Sequence, residues 1–188
     1  MILPIYVYGW PLLRKKSEDI TADYPDLQQL IADMFETMYQ ADGCGLAAPQ
    51  IGKNIRVVVV DGSPMADEEN PDDILATFRK VFINPVITER TGDEWVDNEG
   101  CLSLPKIRES VKRPSKVKIE YVDEKFQPHH EEYDGMAARI IQHEYDHLEG
   151  TLFIDRISPL RRKLITAKLT AVAKGKADCT YKTKVYKK

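Results

Sequence analysis

Apolar residues recur at helical spacing in three stretches of the chain, with β-branched or alternating runs between them. Leu27, Leu30, Ile31, Met34 and Met38 mark one face of a helix of about four turns. It starts near Pro25 and ends at Asp42-Gly43. Ile55 to Val60 is an unbroken β-branched run and predicts a buried strand. Lys80 to Asn84 and Val86 to Glu94 read as further strands, punctuated by Pro85. Between Lys116 and Val122, Val117, Ile119 and Tyr121 alternate with polar residues. Asp123-Glu124-Lys125 then turns the chain into a return strand carrying His129 and His130. A second helix is expected from Asp134-Gly135, with Asp134 capping the first turn and Gly150 stopping the pattern. Its apolar positions are Met136, Ile140, Ile141 and Leu148. Leu160, Leu164, Ala167, Leu169 and Val172 predict a third helix starting at Ser158.

The remaining stretches lack periodicity. Residues 1–20 carry Pro4 and Gly9-Trp10-Pro11 and read as irregular chain wrapped on the domain. Residues 61–77 are acidic, contain Pro64 and Pro71, and read as a surface loop. The expected fold is α+β. Twisted, mostly antiparallel strands surround a central helix, with one helix before it and one after. Residues 1–176 would form a single domain and residues 177–188 a basic tail.

Length and charge narrow the class. A chain of 188 residues can bury one substantial core, and a net charge of -3 does not mark the whole chain as a nucleic-acid or membrane binder. No apolar run reaches transmembrane length, and no charged n-region precedes an apolar core, so the cytoplasm is the expected location. Three Cys in that setting read as free thiols or ligands rather than disulfides. Positive charge is local. Arg161, Arg162, Lys163, Lys168, Lys174 and Lys176 are followed by Lys182, Lys184, Lys187 and Lys188, against the single acid Asp178. This is either a solvated face with a frayed end or a surface for phosphate, such as weak contact with ribosomal RNA.

The chemistry concentrates in Gln142-His143-Glu144-Tyr145-Asp146-His147. On a helix, positions i and i+4 share a face, so His143 and His147 can present two imidazoles to one metal ion. Glu144 can then reach a water held there, and a catalytic site also needs a third protein ligand. No His follows His147 and no Glu follows Glu149, so that ligand comes from upstream or is an Asp. Candidates are Cys101, Cys44, His129, His130 and several acids. Adjacent strand residues point to opposite faces, so His129 and His130 cannot both ligate one ion, and their charged neighbours mark them as surface residues. Cys101, between Gly100 and Leu102 and near Glu99, is favoured, because one thiolate with two imidazoles is an accepted catalytic ligand set. Gly43-Cys44-Gly45-Leu46-Ala47-Ala48-Pro49-Gln50 is built of small residues that allow close backbone approach. It lacks the Lys-Ser/Thr of a phosphate loop.

Three segments together resemble the peptide deformylases. Gly43 to Gln50, Glu99 to Ser103 and Gln142 to Leu148 match that family's G-x-G-L-A-A-P-Q, E-G-C-L-S and Q-H-E-x-D-H motifs in order. The resemblance extends from Leu3-Pro4-Ile5 to Ser158-Pro159-Leu160. It implies hydrolysis of the N-formyl group from the initiator methionine of nascent polypeptides. It implies one divalent ion per chain on Cys101, His143 and His147. Ferrous iron would be the physiological ion, with zinc, nickel and cobalt able to replace it. Glu144 would be the general base, and the Leu102 N–H and the Gln50 amide the oxyanion donors. The peptide would lie as an extended strand along Gly43, Cys44 and Gly45, with Gly100 and Arg108 nearby. The methionine side chain would enter a pocket walled by Cys44, Met136, Ile140 and His143. Glu99 would brace the site by hydrogen bonding. Two readings outside this family stay open: a zinc endopeptidase, and a closed structural metal site in which Glu144 is idle.

Overall fold

A computed structural model describes residues 1–70 and 73–187. The expected turn at Pro71, the acid Asp72 and the terminal Lys188 therefore lie outside the described residues. The elements run β1 (Ile5–Tyr6), α1 (Leu27–Gln40), β2 (Gly45–Ala47), β3 (Val57–Asp61), β4 (Arg79–Cys101), β5 (Leu104–Val122), β6 (Pro128–Asp134), α2 (Gly135–Leu148), α3 (Pro159–Leu164), α4 (Thr166–Ala173) and β7 (Thr183–Lys184). Strands β2 to β6 form one antiparallel sheet in sequence order, and β1 pairs in parallel with β7.

Strand β3 is buried on both faces, which explains its run without alternation. Val57 and Val59 pack with Ile31, Met34 and Met38 of α1, while Val58 and Val60 pack with Ala137, Ile140 and Ile141 of α2. The α2 face also meets Val117, Ile119 and Tyr121 of β5, as the alternation predicts. The fold is thus α+β with the two-His helix at its centre. A third core joins Leu104, Ile107 and Val111 of β5 to Ile165, Leu169 and Val172 of the C-terminal helices.

Several expectations are corrected. The strands expected at residues 80–84 and 86–94 are one strand running to Cys101, bent by register shifts at Ile83/Val86, Ile87/Glu89 and Thr91/Glu94. Its partner β5 begins at Leu104 rather than Lys116. Charge hid the alternation, because the inward positions of residues 107–113 include the buried Glu109 and Arg113 beside Ile107 and Val111. The Asp134 carboxylate makes no capping bond to α2, although the residue is extended and precedes the helix as expected. The helix expected from Ser158 is two short helices meeting at Ile165. Leu160 and Leu164 are exposed, and Ile165, Leu169 and Val172 form the buried stripe. Finally, Ile5 N–H and Val7 N–H donate to the carbonyls of Lys182 and Lys184, so the C-terminal segment is paired to the N-terminal one through Lys184.

Candidate active site and metal centre

The long β4–β5 hairpin ends in a tight turn, with Cys101 opposite Leu104. That turn brings Cys101 to the side of α2 on which His143 and His147 sit one turn apart. The Cys101 thiol lies 3.3 Å from Nε2 of His147, and one ligand atom from each of Cys101, His143 and His147 lies within 4.8 Å of the others. A tetrahedral site with one sulfur and two nitrogen ligands has edges of about 3.5 Å, given metal–ligand lengths of about 2.3 and 2.1 Å. The trio is therefore near ligation geometry. Nδ1 of His143 is paired with Glu99 at 2.8 Å, which leaves its Nε2 free for an ion. Burial pushes the His147 imidazole well below its ordinary pKa, into the neutral form a ligand requires. Burial also disfavours a charged His143, but its bonds to Cys101 and Glu99 outweigh that and raise it. The donor types and their convergence fit one divalent ion.

Glu144 stands beside this trio. It is buried, and its Oε2 has no hydrogen-bond partner among the described residues. Burial pushes its carboxyl up to about 7, within range for exchanging protons near neutral pH. A Cβ added at Gly45 would stand 2.7 Å from Cγ and Cδ of Glu144, so only glycine leaves the carboxylate its place. Gln50, on a 3₁₀ turn after β2, is held by its own oxygen, which accepts from Ala47 N–H at 2.9 Å. Its amide nitrogen faces the Cys101 turn, donating to the Ser103 hydroxyl at 3.1 Å and lying 3.5 Å from the Cys101 thiol.

These groups open onto a cleft of about 500 Å³. Gly43, Cys44, Gly45, Gln50, Glu99, Gly100, Cys101, Leu102, Arg108, Met136, Ile140, His143 and Glu144 all line it, whereas His147 is buried behind it. Arg108 is exposed on its rim and donates to the Asn98 carbonyl. Cys44 is a wall thiol, and burial, helped by the charge of Glu144, pushes its pKa up to about 11. His129 and His130 are elsewhere, paired with Asp123 and Glu120 on the outer strand.

A family model for polypeptide deformylase matches residues 2–163. The chain is 53% identical to the peptide deformylase of Christiangramia forsetii, over 97% of its own length and 95% of the relative's. It is 51% identical to that of Flavobacterium johnsoniae, over 98% and 96%. The chain belongs to the polypeptide deformylase family. Its reaction is the family's: removal of the N-formyl group from nascent polypeptides, by a hydrolase with a single metal ion. Solved deformylases share the architecture. That of Legionella pneumophila superposes with a TM-score of 0.79 at 36% identity, covering 96% of this chain and all of the other. That of Thermotoga maritima gives 0.74 at 40% identity, covering 85% and 99%.

Several residues of this deformylase site escape a sequence reading. Arg113 is fully buried and binds Glu99 through Nε at 2.7 Å and Nη2 at 2.8 Å, and Asp146 through Nη1 at 2.9 Å. Arg139 adds a bond to Glu99, and Arg156 two to Asp146. Burial alone would raise the Glu99 carboxyl, but bonds from Arg113 and His143 outweigh it and hold it far below the usual range. Charged residues at inward positions look like surface in a linear pattern, so Arg113 and Arg139 gave no signal. Asp146 lay in plain view within the motif. Pro64 and Met65, from the loop read as surface, also wall the cleft, as does Tyr181 from the C-terminal segment.

Proposed function

We propose that Cys101, His143 and His147 hold the ion, that this ion is ferrous iron in the cell, and that Glu144 performs the proton transfers. The observation that carries the reading is the convergence of the three donors beside a buried carboxylate with an unpartnered oxygen. When bound, the ion lowers the pKa of the attacking water and polarises the formyl oxygen. Zinc, nickel and cobalt suit the same donors, and a thiolate ligand makes the ferrous form sensitive to air.

Glu144 takes a proton from the water as its oxygen bonds to the formyl carbon. The carbonyl electron pair moves onto the formyl oxygen, where the Leu102 N–H and the Gln50 amide donate to it. The C–N bond then breaks, Glu144 passes its proton to the leaving amine, and formic acid departs and loses its remaining proton to water as formate. Gln50 is already aimed at the Cys101 turn by the bond to Ala47, so its donor needs no reorganisation. Glu99 fixes the tautomer and tilt of His143, while Arg113 helps keep Glu99 ionised and Arg139 bonds the same carboxylate.

The formylmethionyl peptide lies extended along Gly43 to Gly45, opposite Gly100 and Arg108, and pairs through its backbone. Its methionine side chain enters the space walled by Cys44, Met136 and Ile140. Residues 1–176 form the catalytic domain and residues 177–188 a basic tail, of which Lys182 and Lys184 pair with the N-terminal segment. The protein works in the cytoplasm and makes weak ribosome contact through its C-terminal lysines. Arg161 and Arg162 are engaged by Glu109 and Asp155, so that contact rests on the lysines of the C-terminal region. No helix of the described residues is long and apolar enough to cross a membrane.

The deciding experiment is formate release from a formylmethionyl tripeptide by protein loaded anaerobically with ferrous iron or nickel. A Glu144→Ala variant of equal metal content is run beside it. Turnover by the parent and near-loss in the variant is the expected result. Equal turnover by both would remove Glu144 from the chemistry.

A further inference from the structure

The match to the family model ends at residue 163, yet one side chain from the remaining segment reaches the catalytic turn. The Tyr181 hydroxyl donates to the Leu102 carbonyl at 2.7 Å, and its half-buried ring walls the cleft. Leu102 and Ser103 are the two residues between the paired Cys101 and Leu104, so this bond fixes the peptide plane at the tip of the hairpin. The Leu102 N–H leaves the same α-carbon on its other side.

The chain just beyond Tyr181 is held firmly at Lys182, Lys184 and Tyr186. Ile5 N–H donates to the Lys182 carbonyl at 2.9 Å, and Val7 N–H and the Trp10 indole donate to the Lys184 carbonyl at 3.2 and 2.8 Å. Tyr186 packs edge-on against Trp10. The N-terminal segment in turn touches both sides of the reaction centre. Tyr8 N–H donates to the Ser103 carbonyl at 2.8 Å. The Tyr6 ring fills the space a Cβ would take at Gly52, the residue that closes the Gln50 turn with φ of +82°. Lys184 Nζ lies 3.2 Å from the Tyr6 hydroxyl and over the Tyr6 and Trp10 rings. The paired termini thus connect the Leu102 turn to the Gln50 turn.

We propose that Tyr181 is a positioning residue for deformylation, holding the Leu102 turn so that its N–H is aimed where the formyl oxygen becomes negative. The inference rests on the assignment of Leu102 and Gln50 as oxyanion donors made above. A donor aimed by an outside strut costs no reorganisation during the reaction, and its loss lowers turnover rather than substrate binding.

The test uses the full-length, metal-loaded enzyme and a formylmethionyl tripeptide, with kcat and KM measured separately for Tyr181→Phe and for Gln50→Ala. Metal content and melting temperature are read in parallel. Phenylalanine keeps the ring and its packing and removes only the hydroxyl. The expected result for Tyr181→Phe is a kcat about tenfold lower, as for one lost hydrogen bond acting in the transition state, with KM and metal content unchanged. A parental kcat in Tyr181→Phe beside a large loss in Gln50→Ala overturns the proposal and leaves the donor assignment standing. A parental kcat in Gln50→Ala overturns that assignment and the proposal with it. A rise in KM alone makes Tyr181 a wall of the substrate cleft, and a lower melting temperature with unchanged kcat makes it a purely structural contact. Either of these also overturns the proposal.

Discussion

At the scale of single residues, the site works by what each atom is denied. Glu144 has no partner for one oxygen among the described residues, Gly45 has no side chain, and Cys44 has little water. Replacing Gly45 with alanine would drive a methyl into Cγ and Cδ of Glu144. The expected outcome is a kcat lower by roughly 100-fold with the fold intact, since the proton transfers proposed for Glu144 depend on placement. Kinetics together with circular dichroism would check it. The Cys44 thiol, raised to about 11 mainly by burial, stays protonated at pH 8, and only thiolates alkylate readily. Iodoacetamide at pH 8 should therefore leave Cys44 unmodified in the native protein and label it after unfolding, as peptide mass mapping would reveal. Labelling of native Cys44 should rise only as the pH approaches 11.

At the scale of elements, the β4–β5 hairpin and α2 are joined by buried charge as well as by apolar packing. Arg113, from β5, spans Glu99 on β4 and Asp146 on α2, and all three are at most 6% exposed. Breaking such a pair from one side leaves uncompensated charge in the interior. Arg113→Ala should cost about 3–5 kcal/mol in urea denaturation. It should also lower activity in the fraction that remains folded, because Glu99 would lose a partner while still holding His143. The same element shows why linear patterning fell short. Val117, Ile119 and Tyr121 alternate with polar residues and were legible as a half-buried strand. Residues 104–113 form the same strand, but Glu109 and Arg113 occupy inward positions that patterning assigns to water. In the C-terminal helices the error ran the other way, since Leu160 and Leu164 look like core residues but face solvent once the helix breaks at Ile165.

At the scale of the molecule, the proposed metal ligands come from two elements, the β4–β5 turn and α2, that meet only in the folded state. An ion that binds the native state alone stabilises it by mass action, by about 4 kcal/mol when its free concentration is a thousandfold above Kd. Removing the ion with a chelator should lower the melting temperature and abolish formate release. Adding back ferrous iron or nickel without oxygen should restore both. An unchanged melting temperature would place the ion outside the joint between hairpin and helix.

Local chemistry was legible wherever neighbours along the chain are also neighbours in space. The spacing of His143, Glu144 and His147 on one helix, the small residues before Gln50, and the β-branched run of β3 all follow from backbone geometry at short range. The lack of any His or Glu downstream and the chemistry of a thiolate with two imidazoles extended this to Cys101, and the three-motif resemblance points to the same residue. What the chain could not reveal by pattern were the long-range pairings: the reach of β4 and β5, the Arg113 network, and the return of Tyr181 to the Leu102 turn. Each sets a charged or polar group against a partner tens of residues away. Whether such a group faces water or the interior is decided only when the tertiary structure supplies that partner.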